Sequence, residues 1–392
     1  MNVLTLDDVD VKGKAVLIRV DVNSPFDEKT GKISDNDRIR AHSETIKELS
    51  CKGSRLVVLA HQGRKGDPDF TNLEQHARLI EQHSGVKVEF VEDITGETAI
   101  GKIKSMKDGE VILLDNVRKL DEEIKKISAE EHSKSLFVRT LAPLFDLFVQ
   151  DGFSVCHRPQ ASVVGFPFLI KSAAGRVLQK ELEALEKLGG IGSATYMLGG
   201  AKPEEDIMVL KFASKNSENI VLTGGVFGLL CSAARGIDLG KNTEKLDQKA
   251  IEELKPMVTF ANLMIPSDHV AEDGSILIEE DLPSQKMIFD IGPETAENYS
   301  GIIKESNVIF GKGPMGKYED ERFSAGTRAV LEAIAASKGF SLIGGGNTTD
   351  AIEKLKIPRE SFGHISLAGG ALLEYIAGME LPGIEVLKKW KV

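Results

Sequence analysis

FSLIGGGNTTDAIEKL, residues 340–355, joins a short apolar run to three glycines and then to a helical pattern opening on Asn-Thr-Thr. An apolar strand turning through glycine into a helix is the unit from which covered parallel sheets are built. Glycines let the backbone turn tightly and approach a ligand closely. The helix start behind them leaves N–H groups unpaired at the positive end of the helix dipole, a combination that suits phosphate.

The same rhythm runs along the whole chain. In the first half the strand patterns are KAVLIRVDV (14–22), SRLVVLA (54–60), VKVEFV (86–91), VILLD (111–115) and LFVQD (147–151). Longer helical patterns separate them, such as residues 38–53 and 71–85. In the second half they are ATYMLGG (194–200), NIVLTGG (219–225), MVTFANLMIP (257–266), NVIFGKG (307–313), FSLIGGG (340–346) and HISLAGG (364–370). Near-continuous apolar strands alternating with helices predict an α/β fold of two doubly wound parallel sheets. A length of 392 residues fits two domains. KSAAGRVLQKELEALEKLGG (171–190) reads as a helix with a Gly-Gly stop and is expected to join a first domain, 1–170, to a second, 191–371.

Composition narrows the function. Hydrophobic residues make up 41% and charged residues 28%, the profile of a soluble globular protein. No apolar run approaches the roughly 20 residues that span a bilayer, and the early acids of MNVLTLDDVDVKGK do not suit a secretory signal. Cys51, Cys156 and Cys231 are far apart, without metal-type spacing. These features predict a cytoplasmic protein. A net charge of −11 argues against nucleic acid or an anionic membrane as partner.

The halves differ in their strand ends, where doubly wound sheets bind ligands. Every Gly-Gly pair lies at or after position 189. MLGGAK, LTGG, IGGGNTT and SLAGG together describe a floor of backbone N–H groups suited to a polyphosphate. Any one pair alone would be an ordinary turn. None fits the Walker spacing or GxGxxG. The first half instead ends its strands with RVDVN (19–23), AHQGR (60–64), DNVR (115–118) and DGFSVCHR (151–158), and Arg38 opens a helix. Converging guanidinium groups hold small, multiply charged anions. Asp21 and Asn23, two apart on a strand, share a face and could hydrogen-bond a hydroxyl.

These motifs, in this order, resemble the phosphoglycerate kinase family over essentially the whole chain. RVDVNSP (19–25), DNDRI (35–39), AHQGR, LLDNVR (113–118) and DGFSVCHRPQAS (151–162) carry the likeness in the first half. MLGGAK (197–202), GKGPMGKYE (311–319), GGGNTT (344–349) and HISLAGGALLE (364–374) carry it in the second. The resemblance implies two α/β domains facing a cleft, with 372–392 packing back on the first. It implies reversible phosphoryl transfer between 1,3-bisphosphoglycerate and ADP, giving 3-phosphoglycerate and ATP, in glycolysis or gluconeogenesis. By motif match Asp21, Asn23, Arg38, His61, Arg64, Arg118 and Arg158 would hold the phosphoglycerate. Lys202, Gly224, Gly225, Glu319 and Gly344, Gly345, Gly346, Asn347 and Thr348 would hold the nucleotide. Arg38, Lys202 and the helix start at Gly369 and Gly370 would neutralise charge on the transferring group, with hinge closure excluding water. The expected cofactor is Mg²⁺ carried by the nucleotide, without a metal site of the protein's own, and the expected state is a monomer.

Four departures from the family pattern matter. Asn347 stands where an acid is usual, Asp206 where a second lysine is usual, Lys312 replaces the asparagine of NGP, and Ala368 replaces a glycine. Lys312 is expected to restore part of the positive charge lost at Asp206. Two alternatives remain. One is a nucleotide-binding sensor of the same fold without turnover, and the other is a nicotinamide-dependent dehydrogenase, which the missing GxGxxG disfavours.

Overall fold

The computed structural model describes residues 2–189 and 192–390. The chain divides into two compact units, one running to Leu182 and resuming at Glu380, the other spanning Glu183–Met379.

The first unit is built on six parallel strands: β1 (Ala15–Arg19), β2 (Arg55–Leu59), β3 (Val88–Val91), β4 (Val111–Leu114), β5 (Leu147–Gln150) and β6 (Ser172–Ala174). Their spatial order is β3-β4-β2-β1-β5-β6. Alternation along β1 explains its continuous apolar sequence. Val16 and Ile18 pack with Leu56 and Val58 on one face, while Leu17 packs with Val57 and Leu59 on the other. Strand order reverses between β1 and β5, so a crevice opens there beyond the carboxyl ends.

The second unit repeats the plan with β7 (Thr195–Leu198), β8 (Ile220–Thr223), β9 (Leu263–Met264), β10 (Val308–Lys312), β11 (Phe340–Gly344) and β12 (His364–Ile365). The order is β9-β8-β7-β10-β11-β12, all parallel, and its switch point lies between β7 and β10. A small antiparallel sheet formed by 269–271, 276–277 and 288–291 is an addition that the apolar runs do not signal.

Three expectations shift. The strand expected over 257–266 shrinks to Leu263–Met264, because Met257 and Val258 donate back to the Leu254 carbonyl and prolong the preceding helix as turns. The connector helix begins at Arg176 rather than at 171 and is described to Gly189, with Gly190 outside the described residues. Ser172–Ala174 pairs with β5 instead, and Gly175 separates strand from helix. The returning tail begins later than 372: the helix Gly370–Ile376 belongs to the second unit, and Pro382–Lys388 belongs to the first. There the Gly383 N–H donates to the Cys156 carbonyl at 2.8 Å, and Trp390 Nε1 donates to the Pro167 carbonyl at 2.8 Å.

Candidate active site

In the first unit the site grows from the end of β1. Asp21, two residues past the strand, is buried, and Arg38 Nη1 lies 3.3 Å from its Oδ2. Arg38 is placed by helix α1 (Asp37–Cys51), whose cap Asn36 accepts the N–H groups of Arg38 and Ile39 at 3.0 and 3.1 Å. Ser154 donates its hydroxyl to Asp21 Oδ2, and the Asn23 N–H donates to Oδ1 at 3.1 Å. Burial pushes the Asp21 carboxyl up, but Arg38, His61, the Ser154 hydroxyl and Arg19 outweigh it and hold the group well below the usual range. Asp21 is therefore a fixed carboxylate at any physiological pH.

His61 follows β2 and is buried beside it. Arg19 Nη2 lies 3.1 Å from His61 Nδ1. A guanidinium can only donate, so Nδ1 accepts and the ring proton sits on Nε2. Burial holds His61 well below its ordinary value, opposed by Asp21 and reinforced by Arg19, Arg118 and Arg158. His61 is thus a neutral donor with a set tautomer. It is at once a hydrogen-bonded buried histidine and a member of the cluster.

Asn23 Oδ1 accepts the Gly63 N–H at 2.9 Å, which leaves its Nδ2 group to donate away from that bond. Arg118 donates to the Gly63 carbonyl, and burial, then Arg19 and Arg158, bring its guanidinium down to about 10. Arg158 Nε lies 3.0 Å from His157 Nε2. Asp21, Asn23, Arg38, His61, Arg118 and Arg158 thus form one connected group at the carboxyl ends of the strands. Arg64 differs: it is exposed on the loop after β2 and makes no ion pair among the described residues. Beneath the group, the buried Arg19 donates to Ser162 Oγ at 2.8 Å, and Ser162 donates its hydroxyl and N–H to the buried Glu123 at 2.6 and 2.8 Å.

In the second unit the glycine turns press against one another. A Cβ on Gly313, where φ is +79°, would lie 1.8 Å from the Gly199 carbonyl oxygen. One on Gly225, φ +56°, would lie 2.8 Å from the Gly200 nitrogen. These turns border a cavity of about 600 Å³ lined by Gly200, Gly225, Pro314, Glu319 and Asn347 among others. Glu319 and Asn347 are exposed at its rim. Gly224 lies at the start of the helix Gly225–Ala234, and Gly344, Gly345 and Gly346 lead into the helix Gly346–Lys354. The Thr348 side chain is a structural tie. Its Oγ accepts the Gly313 N–H at 2.7 Å and donates to the Gly344 carbonyl at 2.9 Å. That leaves its backbone rather than its side chain for a ligand. Lys202 is largely exposed, with Nζ 3.9 Å from Glu205. Gly369 and Gly370 begin the short helix Gly370–Ile376.

Lys312 does not stand as a spare cation. It ends β10 at the switch point, opposite Leu198 and Gly344, and its Nζ is 2.7 Å from Asp206 Oδ1 and 3.3 Å from Glu205. The two departures from the family pattern therefore neutralise each other. The sequence does not expose this pairing, since the residues are 106 apart. It also gives no direct sign of His42, and it marks Asp151 and Ser154 only as members of the DGFSVCHR segment, without a role. A signal exists for His42, which follows Arg38 by one helical turn and so shares its face.

Among the described residues no group of three or more His, Cys, Asp or Glu side chains is placed to hold a metal ion. None of the described helices is long and apolar enough to cross a membrane.

A phosphoglycerate kinase family model matches residues 6–379. The chain is 42% identical over 394 residues to a phosphoglycerate kinase of Sulfolobus acidocaldarius, covering 98% of this chain and 95% of that protein. It is 42% identical over 403 residues to one from Methanothermobacter thermautotrophicus, covering 98% and 96%. The crystal structure of phosphoglycerate kinase from Pyrococcus horikoshii superposes with a TM-score of 0.87 at 34% identity, covering 99% of this chain and all of that one. Nothing in these likenesses supports a nicotinamide-dependent dehydrogenase or a sensor without turnover. The chain belongs to the phosphoglycerate kinase family, the phosphotransferases that move a phosphoryl group reversibly between 1,3-bisphosphoglycerate and ADP, with a carboxyl group as acceptor.

Proposed function

We propose that the cluster at the ends of β1, β2 and β5 holds the phosphoglycerate and that the glycine turns of the second unit hold the nucleotide. The observation that carries the reading is the convergence of Asp21, Arg38 and His61 with two further arginines at a topological switch point. An ionised Asp21 accepts the substrate hydroxyl, with Asn23 and the Nε2–H of His61 as donors beside it. Arg38, Arg118, Arg158 and the exposed Arg64 take the phosphate and carboxylate oxygens. In the second unit, the N–H groups of Gly224, Gly225 and Gly344 to Thr348 face the phosphates with Lys202, and Glu319 takes the ribose hydroxyls.

The acceptor carboxylate is already ionised at neutral pH, so no general base is needed. Its oxygen attacks the γ-phosphorus of ATP, the bond to the β–γ bridging oxygen breaks, and ADP leaves with that electron pair. Catalysis is then in-line positioning and charge neutralisation, supplied by Arg38, Lys202 and the turn at Gly369–Gly370. Because the two ligands are assigned to separate units, transfer requires a closure that brings them together and excludes water.

Magnesium enters as part of the nucleotide substrate. Asn347 offers a neutral amide where a carboxylate would be the stronger oxygen ligand, and Mg²⁺ keeps mostly phosphate and water oxygens. The enzyme acts in the cytoplasm as a monomer, the latter a reading supported by central strands that are buried within each unit. A coupled assay of ATP-dependent 3-phosphoglycerate phosphorylation tests the whole assignment. Activity that requires Mg²⁺ and collapses in Arg38→Ala supports it, and no activity in the wild type across varied Mg²⁺ overturns it.

A further inference from the structure

The Asp21 N–H lies beyond the last rung of the β1 ladder. Val20 still donates to the Leu59 carbonyl, but Asp21 finds no strand partner. Its N–H points instead at His42 Nε2, 3.2 Å away. His42 sits on α1, four residues after Arg38, and is 2% exposed. Its Nδ1 lies 2.6 Å from Oδ2 of Asp151, which follows β5 and is fully buried.

The roles in this chain are forced. A backbone N–H can only donate, so Nε2 accepts and the ring proton resides on Nδ1, donated to Asp151. The other Asp151 oxygen, Oδ1, accepts the Val177 N–H at 2.9 Å in the first turn of the connector helix. Asp151 is held there tightly: a Cβ on Gly175 would lie 2.1 Å from that oxygen. Its own N–H and that of Gly152 both donate to the Arg19 carbonyl, at 2.9 and 3.1 Å, closing the seam between β1 and β5. The imidazole is therefore clamped from below by a carboxylate whose own position is fixed on three sides.

We infer that His42, oriented by Asp151, is a positioning residue for recognition of the phosphoglycerate acceptor. It sets the backbone of Asp21 and so aims the Asp21 carboxylate. The inference rests on the proposed assignment of Asp21 to the acceptor site. A residue that only filled space here would be apolar, since burying an imidazole and a carboxylate is costly unless both are hydrogen-bonded. The group that the imidazole serves is the Asp21 N–H, which has no other acceptor among the described residues.

The test is steady-state kinetics of 3-phosphoglycerate phosphorylation on the full-length enzyme, with urea unfolding run on each variant. His42→Leu keeps the volume and removes both hydrogen bonds. It is expected to raise KM for 3-phosphoglycerate about tenfold, the effect of one lost buried hydrogen bond, while KM for ATP stays within about twofold. His42→Gln restores one acceptor and one donor and is expected to recover to within about threefold of wild type. Asp151→Asn leaves one oxygen for two N–H groups, so its NH2 opposes either the imidazole N–H or the Val177 N–H. Either way the clamp on the ring is lost, and the variant is expected to behave like His42→Leu, which keeps the test open should the leucine variant fail to fold. Asp21→Ala calibrates the site. If it raises KM for 3-phosphoglycerate while His42→Leu and Asp151→Asn do not, the positioning role alone is overturned. A parallel rise of both KM values, or equal behaviour of the Leu and Gln variants, also overturns it. If Asp21→Ala leaves that KM unchanged, the site assignment falls and the inference falls with it.

Discussion

Lys312 and Asp206 form a buried ion pair, Nζ to Oδ1 at 2.7 Å, between the first turn of the helix Pro203–Ala213 and the end of the central strand β10. Asp206 Oδ2 has no hydrogen-bond partner among the described residues. Burial pushes its carboxyl up to about 7, against the pull of Lys312. Asp206 thus offsets Lys312 at a place where the family pattern carries a net cation, and the proposed nucleotide site is left with Lys202 and backbone N–H groups for the phosphates.

Removing one partner strands the other. Lys312→Ala is expected to cost about 1–3 kcal/mol of unfolding free energy, since the buried Asp206 carboxyl, already raised to about 7, loses its partner and takes up a proton rather than staying charged. Lys312→Met combined with Asp206→Leu is expected to recover most of that loss. Urea unfolding of the single and double variants checks this, and additive losses would contradict it.

Arg38→Ala is expected to lower kcat by about 10²–10³, the usual cost of removing a donor to charge developing in the transition state. Circular dichroism should remain unchanged, because Asn36 and not the Arg38 side chain caps α1. Loss of folded signal in step with activity would mean that the arginine is structural.

Gly225→Ala would force a side chain into a left-handed residue and within 2.8 Å of the Gly200 nitrogen. The expected result is at least a roughly tenfold rise in KM for ATP, with 3-phosphoglycerate binding measured by calorimetry intact. Unchanged nucleotide affinity would remove this turn from the nucleotide site.

Burial holds His76 at about 4 in the folded protein, against about 6.5 in an unfolded chain. The folded state stays neutral while the unfolded state takes up a proton. The contribution is therefore complete above about pH 6.5 and is lost as pH falls toward about 4, by up to about 1.4 kcal/mol per pH unit. Asp206 and Asp290, whose carboxyls burial raises to about 7, bind protons in the folded state and pull the other way. The clean measurement is thus the difference between wild type and His76→Gln. The variant should gain on wild type between about pH 6.5 and about pH 5. A flat difference would contradict the expectation.

Alternation of apolar strands with helices is enough to read two parallel sheets, because strands buried on both faces leave an unmistakable run. The strand ends are legible for the same reason, since Asp21 and His61 follow closely on such runs, and Arg158 closes the DGFSVCHR segment that follows another. What stays hidden depends on distance in sequence. Neither Lys312 with Asp206 nor His42 with Asp151 has any local signature, and the partners meet only once the sheets have formed. Thr348 shows the opposite limit: its motif marks it as a ligand contact, yet its hydroxyl ties two turns together. Residues 257–266 mislead because an apolar stretch on an edge strand can equally extend the turns of a preceding helix.

The helix Pro382–Lys388 docks on residues translated more than two hundred positions earlier. During synthesis the second unit, 183–379, is translated in full before the segment from Glu380 that returns to the first. The docking surface around Cys156 and Pro167 must wait uncovered through that interval. Assembly order is thereby inverted: the half that starts first is the half that finishes last.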